Sequence, residues 1–88
     1  MRKIILTSQF KRDVKLAEKR HKDMSKLREA FYLLAQAEAL PVRYKDHPLT
    51  GEWKHHRDLH LEPDWLLIYK VDCDEIFMVR TGTHTDIF

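Results

Sequence analysis

The chain carries two alternating hydrophobic periods. Lys3-Ile4-Ile5-Leu6-Thr7 is a short run of β-formers and predicts a strand. Behind it, Phe10, Val14 and Ala17 recur at helical spacing, and Thr7 or Ser8 can cap the helix they predict. Asp23 is a cap for a second helix whose Met24, Leu27, Phe31 and Leu34 form one stripe. That stripe reads as core laid on a sheet, and the helix stops before Pro41. Residues 41–51 (PVRYKDHPLTG) contain two prolines and a glycine and predict an ordered connecting loop. The period then falls to two: Trp53, His55, Arg57, Leu59 and Leu61 alternate with Lys54, His56, Asp58, His60 and Glu62. Glu62-Pro63-Asp64 turns the chain into a strand over 65–71, and the turn at 72–75 leads to another over 76–81. Sequential strands with short turns predict an antiparallel meander, which the amino-terminal strand can join at an edge. The expected fold class is α+β, two helices packed on one face of a small, mostly antiparallel sheet, in a single domain over residues 1–88.

Composition narrows the class. With 88 residues, 43% of them hydrophobic and 34% charged, the chain is an ordinary small globule and not a disordered one. The one cysteine, Cys73, excludes an internal disulfide and a Cys-rich zinc site, and its place in a hairpin turn suggests a bystander. No signal peptide and no apolar run near the ~20 residues of a membrane span is visible, so no membrane partner and a cytoplasmic location are expected.

Net charge is only +2, but its distribution is lopsided. Residues 1–28 hold ten Lys/Arg against three acids; residues 29–88 hold six against eleven, with five of the six histidines. The basic end, Lys11, Arg12, Lys15, Lys19, Arg20, Lys22 and Lys26 in particular, suggests phosphate contacts with a polyanion. A merely solvated helix surface is the alternative.

The acid–base groups gather in the last third. Period-two geometry puts Asp58 and His60 on one strand face, with Asp64 just past the turn. Arg80 ends the third meander strand, and Gly82 permits a bend that brings His84 back over the sheet. His47 sits in a loop stiffened by Pro48. Histidine moves protons at neutral pH, arginine forks onto phosphate, and aromatics such as Trp65 and Phe88 can stack on bases. These are the parts of a metal-independent ribonuclease site. Singly, each has a plainer reading: Trp65 as sheet core, Arg80 bridging Asp58 or Asp64, Asp64 ending a turn. His56 and His60 share a strand face, but without a third ligand no metal and no cofactor is expected.

The stretch KDHPLTGEWKHHRDLHLEPDWLLIYK, then VRTGTH and a final Phe, resembles the YafQ branch of the RelE-like toxins of bacterial type II toxin–antitoxin modules. The similarity extends upstream through SQFKRDVKLAEKRHKDMSKLR. It implies a small ribonuclease that enters the ribosomal A site and cuts mRNA. It also implies an acidic, DinJ-like antitoxin partner whose complex binds operator DNA. The family's functional residues fall on His47, His60, Asp64, Trp65, Arg80, His84 and Phe88. On this expectation the RNA 2′-OH attacks its neighbouring phosphorus, leaving a 2′,3′-cyclic phosphate. His84 acts as general acid, His60 activates the 2′-OH with Asp64 or His47 beside it, Arg80 holds the phosphate, and Trp65 and Phe88 stack on or wall in a base. Two alternatives remain: a non-catalytic nucleic-acid-binding regulator and a gyrase-directed, ParE-like toxin of similar fold.

Overall fold

The structure, a computed structural model, describes all residues from 1 to 88. β1 (Lys3–Leu6) is followed by α1 (Ser8–Lys19) and α2 (Met24–Ala35). Thr7 caps α1 by accepting from the Phe10 amide, and Asp23 caps α2 by accepting from the Ser25 amide. A 3₁₀ turn at Val42–Tyr44, the two-residue β2 (His47–Pro48) and a second 3₁₀ turn at Gly51–Trp53 fill the connection to β3 (Arg57–Glu62). β4 (Trp65–Asp72), β5 (Glu75–Gly82) and a short α3 (His84–Ile87) complete the chain.

The five strands form one sheet in the order β1-β5-β4-β3-β2. All pairings are antiparallel except β1 on β5, which is parallel. The first five residues of the central β4, Trp65 to Tyr69, are buried on both faces, which is why they form an unbroken apolar run and do not alternate. Trp65, Leu67 and Tyr69 share a core with Phe10 and Ala17 of α1, Leu27, Ala30 and Leu34 of α2, and Leu59, Leu61, Ile76 and Met78 of the sheet. Leu66 and Ile68, on the other face, are fully buried as well. Each such side chain contributes roughly 1.5–3 kcal/mol relative to exposure. No helix is long and apolar enough to cross a membrane.

Three expectations are corrected. The strand predicted from Trp53 begins only at Arg57, because Gly51 (φ 66°) and His55 (φ 73°) turn left-handed and break any extended run. The loop at 41–51 contributes a strand of its own: His47 pairs with Asp58 and Pro48 with Arg57. Beyond the bend at Gly82 the chain forms α3, closed by a capping box between Thr83 and Asp86. A Cβ at Gly82 would lie 2.9 Å from Asp86 Oδ2, so glycine here permits α3 to fold back tightly.

Candidate active site

Two rungs across the sheet assemble the site. His47, Asp58, Ile68 and Arg80 lie opposite one another on successive strands, and His60, Leu66 and Gly82 form the next rung on the same face. Gly82 ends β5 beside His60's rung, and α3 starts two residues later. The His84 ring consequently stands edge-on to His60, centroids 5.8 Å apart, and His47 tilts against the other side of His60 at 6.2 Å. Residues from the 41–51 loop, the β3 strand and the last helix thus form one row with His60 at its centre.

Each outer ring is anchored. Asp64 Oδ1 accepts from His84 Nδ1 at 2.6 Å and from the His84 backbone N–H at 2.9 Å. Both bonds favour the ionised carboxylate, so the Asp64 carboxyl lies below its usual range. With Nδ1 protonated towards Asp64, His84 presents Nε2 as its working nitrogen. His47 Nδ1 is 2.8 Å from the Lys45 carbonyl oxygen, an acceptor only, so that nitrogen carries the proton and Nε2 is free. Nε2 lies 3.8 Å from Asp58 Oδ2. Asp64 therefore serves His84 and not His60, which settles one of the two partners the sequence left open for it.

Asp58 sits beneath the row. It is almost wholly buried, and its Oδ1 has no hydrogen-bond partner. Burial pushes its carboxyl pKa up, and the nearby His60, His47 and His84 pull it back down. The sequence put Asp58 on the right face, but offered it only as a structural partner for Arg80. His47, Asp58 and His60 each offer one ligand atom, all within 4.8 Å of one another. Two imidazoles and a carboxylate at that spacing suit a borderline ion such as zinc or copper. His56, the histidine first weighed as His60's co-ligand, packs instead against Trp53.

Of the residues expected to touch substrate, one lies in the core and another is held along one side. Trp65 is 1% exposed and belongs to the core, with Lys22 Nζ 5.8 Å above its ring, so it cannot stack on a base. The half-buried indole of Trp53 is the one near this surface, its ring meeting Phe88 edge-on at 6.1 Å. Phe88 is 59% exposed and free to wall in a substrate. Arg80 is turned towards α1: β1 ends at Leu6 opposite Met78, and past that point Asp13 takes the open edge of β5. Asp13 accepts from Arg80 Nε (2.7 Å) and Nη2 (3.2 Å), from the Thr81 amide (3.1 Å) and from Gln9 Nε2 (3.0 Å). The Arg80 partner is thus Asp13, neither of the acids nearer in sequence.

The basic face is similarly divided. Arg20 pairs with Asp86, and Lys22 and Lys26 both clamp Glu62. Lys11, Arg12, Lys15 and Lys19 are exposed and have no carboxylate partner.

Comparison with known proteins decides the family. Residues 2–88 match the family described as the bacterial toxin of type II toxin–antitoxin system, YafQ. The chain belongs to the YafQ toxin family. It is 52% identical over 88 residues to the mRNA interferase toxin YafQ of Escherichia coli strain K12, covering 99% of this chain and 96% of that one. The toxin in the E. coli DinJ–YafQ complex is 52% identical with a TM-score of 0.91, over 99% of this chain and 97% of that one. A metal-bound toxin from Helicobacter pylori is 37% identical with a TM-score of 0.94 over the full length of both chains. In this YafQ-family chain the histidine row lies at one end of the sheet, flanked on one side by α3 and on the other by the 41–51 loop.

Proposed function

We propose that this toxin is an endoribonuclease that cuts mRNA in the ribosomal A site through its histidine row. The supporting observation is the spacing of that row: an anchored imidazole at each end and an unanchored one, His60, between them. Cleavage of RNA without a metal needs one group to take the 2′-OH proton and another to protonate the leaving 5′-oxygen. His84 Nε2–H is the acid. The Asp64 carboxylate on Nδ1 fixes its orientation. His60 takes the 2′-OH proton, with His47 Nε2 beside it to share the charge. As the 2′-oxygen bonds to phosphorus the P–O5′ bond breaks, leaving a 2′,3′-cyclic phosphate and a 5′-OH. Asp58 lies beneath both rings, its Oδ2 3.8 Å from His47 Nε2. Arg80, its Nε and Nη2 held by Asp13, keeps Nη1 for the phosphate as charge develops. Phe88 against Trp53 walls in a base.

Ribosome engagement falls to the unpaired cations of α1, Lys11, Arg12, Lys15 and Lys19. A cognate antitoxin related to DinJ holds the toxin silent until it is removed. The test is cleavage of ribosome-bound mRNA by the purified toxin, with end-group analysis of the products. Fragments ending in 2′,3′-cyclic phosphate, formed equally with EDTA present and lost in His84→Ala, are expected. Products with a 5′-phosphate, or full activity in His84→Ala, would overturn the mechanism.

A further inference from the structure

A second cleft opens beside the histidine row, on the side away from α3. β2 covers β3 only at Arg57 and Asp58, so from Leu59 onwards the outer edge of β3 has no strand on it. Lys26 from the start of α2, Arg43 and Lys45 from the 41–46 segment, and Glu62 and Pro63 surround that gap. The space holds about 330 Å³, and His60 forms part of its wall. It is therefore continuous with the place where the proposed chemistry occurs.

Its charges suit an anion. Glu62 is the only acid among the lining residues, and it is clamped by Lys22 at 3.1 Å and Lys26 at 2.9 Å. Both lysines hold its carboxyl below the usual range, so it stays ionised and neutralised. One carboxylate needs only one of the two, and an incoming anion can draw Lys26 away while Lys22 keeps Glu62. Lys45 has no carboxylate partner, and its left-handed backbone (φ 49°) props it at the rim. Arg43 lies over the Tyr44 ring at 4.9 Å and is tied to Glu29, to which the Tyr44 hydroxyl also donates at 2.8 Å. Its plane is thus set in advance, while its side chain stays 63% exposed. A preset guanidinium and an unpaired ammonium over an open strand edge are recognition elements for a phosphodiester.

We propose that this cleft is a backbone subsite for RNA: Lys26, Arg43 and Lys45 hold the phosphate next to the scissile one, on the strand segment that runs past His60. The proposal rests on the ribonuclease reading of the histidine row. It assigns to this flank a role distinct from that of α1, because a phosphate here lies in register with the cut and helps align the 2′-OH with phosphorus.

The test pairs protein variants with single neutral linkages in the substrate. Ribosome-bound mRNA carrying one methylphosphonate at each position around the cut is offered to the native toxin, to Arg43→Gln, to Lys45→Asn (a residue tolerant of the left-handed backbone) and to Arg28→Gln as an exposed control. With all-phosphate mRNA, Arg43→Gln and Lys45→Asn each raise KM about tenfold and flatten the salt dependence by roughly one phosphate contact; Arg28→Gln does neither. One methylphosphonate position slows the native toxin by a similar factor and leaves the two cleft variants no slower than they already are. If every methylphosphonate position slows native and cleft variants by the same factor, the subsite is refuted. It is also refuted if the two variants lose only antitoxin affinity, which would make the cleft an antitoxin contact. To separate failure of the subsite from failure of the ribonuclease reading, a 2′-deoxy analogue that cannot be cut is titrated into the toxin and followed by NMR. Shifts of the Lys45, His60 and Leu61 amides, lost in Lys45→Asn, support the cleft even if no RNA is cut; their absence at millimolar analogue rejects it whatever the cleavage result.

Discussion

Replacing Asp13 should be the most damaging single change outside the apolar core, and the structure sets its size. The side chain is 7% exposed and gathers four donor groups: both Arg80 nitrogens, the Thr81 amide and Gln9 Nε2. In Asp13→Ala, Arg80 loses its counter-charge and the buried Thr81 N–H loses its acceptor. Breaking a buried pair costs roughly 3–5 kcal/mol. The Arg80 side chain is 22% exposed and can turn partly to water, which brings the expectation to roughly 2–4 kcal/mol. Asp13→Asn keeps an oxygen for Arg80 Nε and Thr81 but turns its NH2 towards Arg80 Nη2 and Gln9 Nε2, which it cannot accept from, so it recovers only part of the loss seen in Ala. For a chain of this size each kcal/mol moves Tm by about 4–8 °C, so Ala and Asn should separate clearly in a melt. Urea unfolding of both variants, and of Asp13→Leu combined with Arg80→Met, completes the assay. The double variant should recover the part of the loss that comes from the stranded Arg80 charge, because an apolar pair replaces the ion pair, while the Thr81 N–H still lacks its acceptor. An Asp13→Ala change within about 0.5 kcal/mol of the native chain would refute the reading, as would a double variant no better than the single.

Four further outcomes follow from the same geometry. Gly82→Ala must push against Asp86, which Arg20 and Thr83 pin in place, so α3 shifts and cleavage falls at least tenfold while the sheet's amide spectrum stays native; normal activity would refute the close packing. Asp86, held by Arg20 and the Thr83 amide, and Asp64, held by His84, both have carboxyl pKa values below the ordinary value of 3.8; their contribution is complete above that value and is lost as pH falls through their depressed ones. Acid titration by NMR should therefore show α3 docked at pH 5 and released only well below pH 4, and earlier in Arg20→Ala. Trp65→Phe should lower Tm without changing KM, and removal of Phe88 should do the reverse; a KM effect at Trp65 would restore it as a base platform. Zinc at micromolar levels should inhibit cleavage by occupying His47, Asp58 and His60, reversibly with EDTA and less so in His47→Ala, whereas stimulation by zinc would make the metal a cofactor.

The parts of this fold legible in the sequence were those governed by neighbours along the chain. Both helix caps, the apolar stripe of α2 and the 62–65 and 72–75 turns follow from local spacing. The false start of β3 at Trp53 came from a real alternation, and only the left-handed His55 reveals that the backbone is not extended there. At the site, His47, His60 and His84 do converge as expected. Their supports were harder to see. Asp13 meets Arg80 across 67 positions, and Arg20 meets Asp86 across 66. No periodicity encodes such pairs, and both acids lie where charge counting takes them for surface. Trp65 was ambiguous because a strand buried on both faces has no polar side to tell inside from out. Asp58 had a usable signal, two residues before His60 on the same strand face.

The parallel pairing of β1 with β5 also bears on how this toxin is made. Thr7 bonds to Val79 across 72 positions, and Asp13 holds the end of β5. The first strand therefore has no sheet partner until the last strand has been synthesised. Contacts that close so long a loop form late in folding. While β5 is still inside the exit tunnel, His84 has neither Asp64 nor His60 beside it, and Arg80 has no anchor. An mRNA interferase is then inert while its own chain is still being made, and acquires its histidine row only once β5 and α3 have left the tunnel.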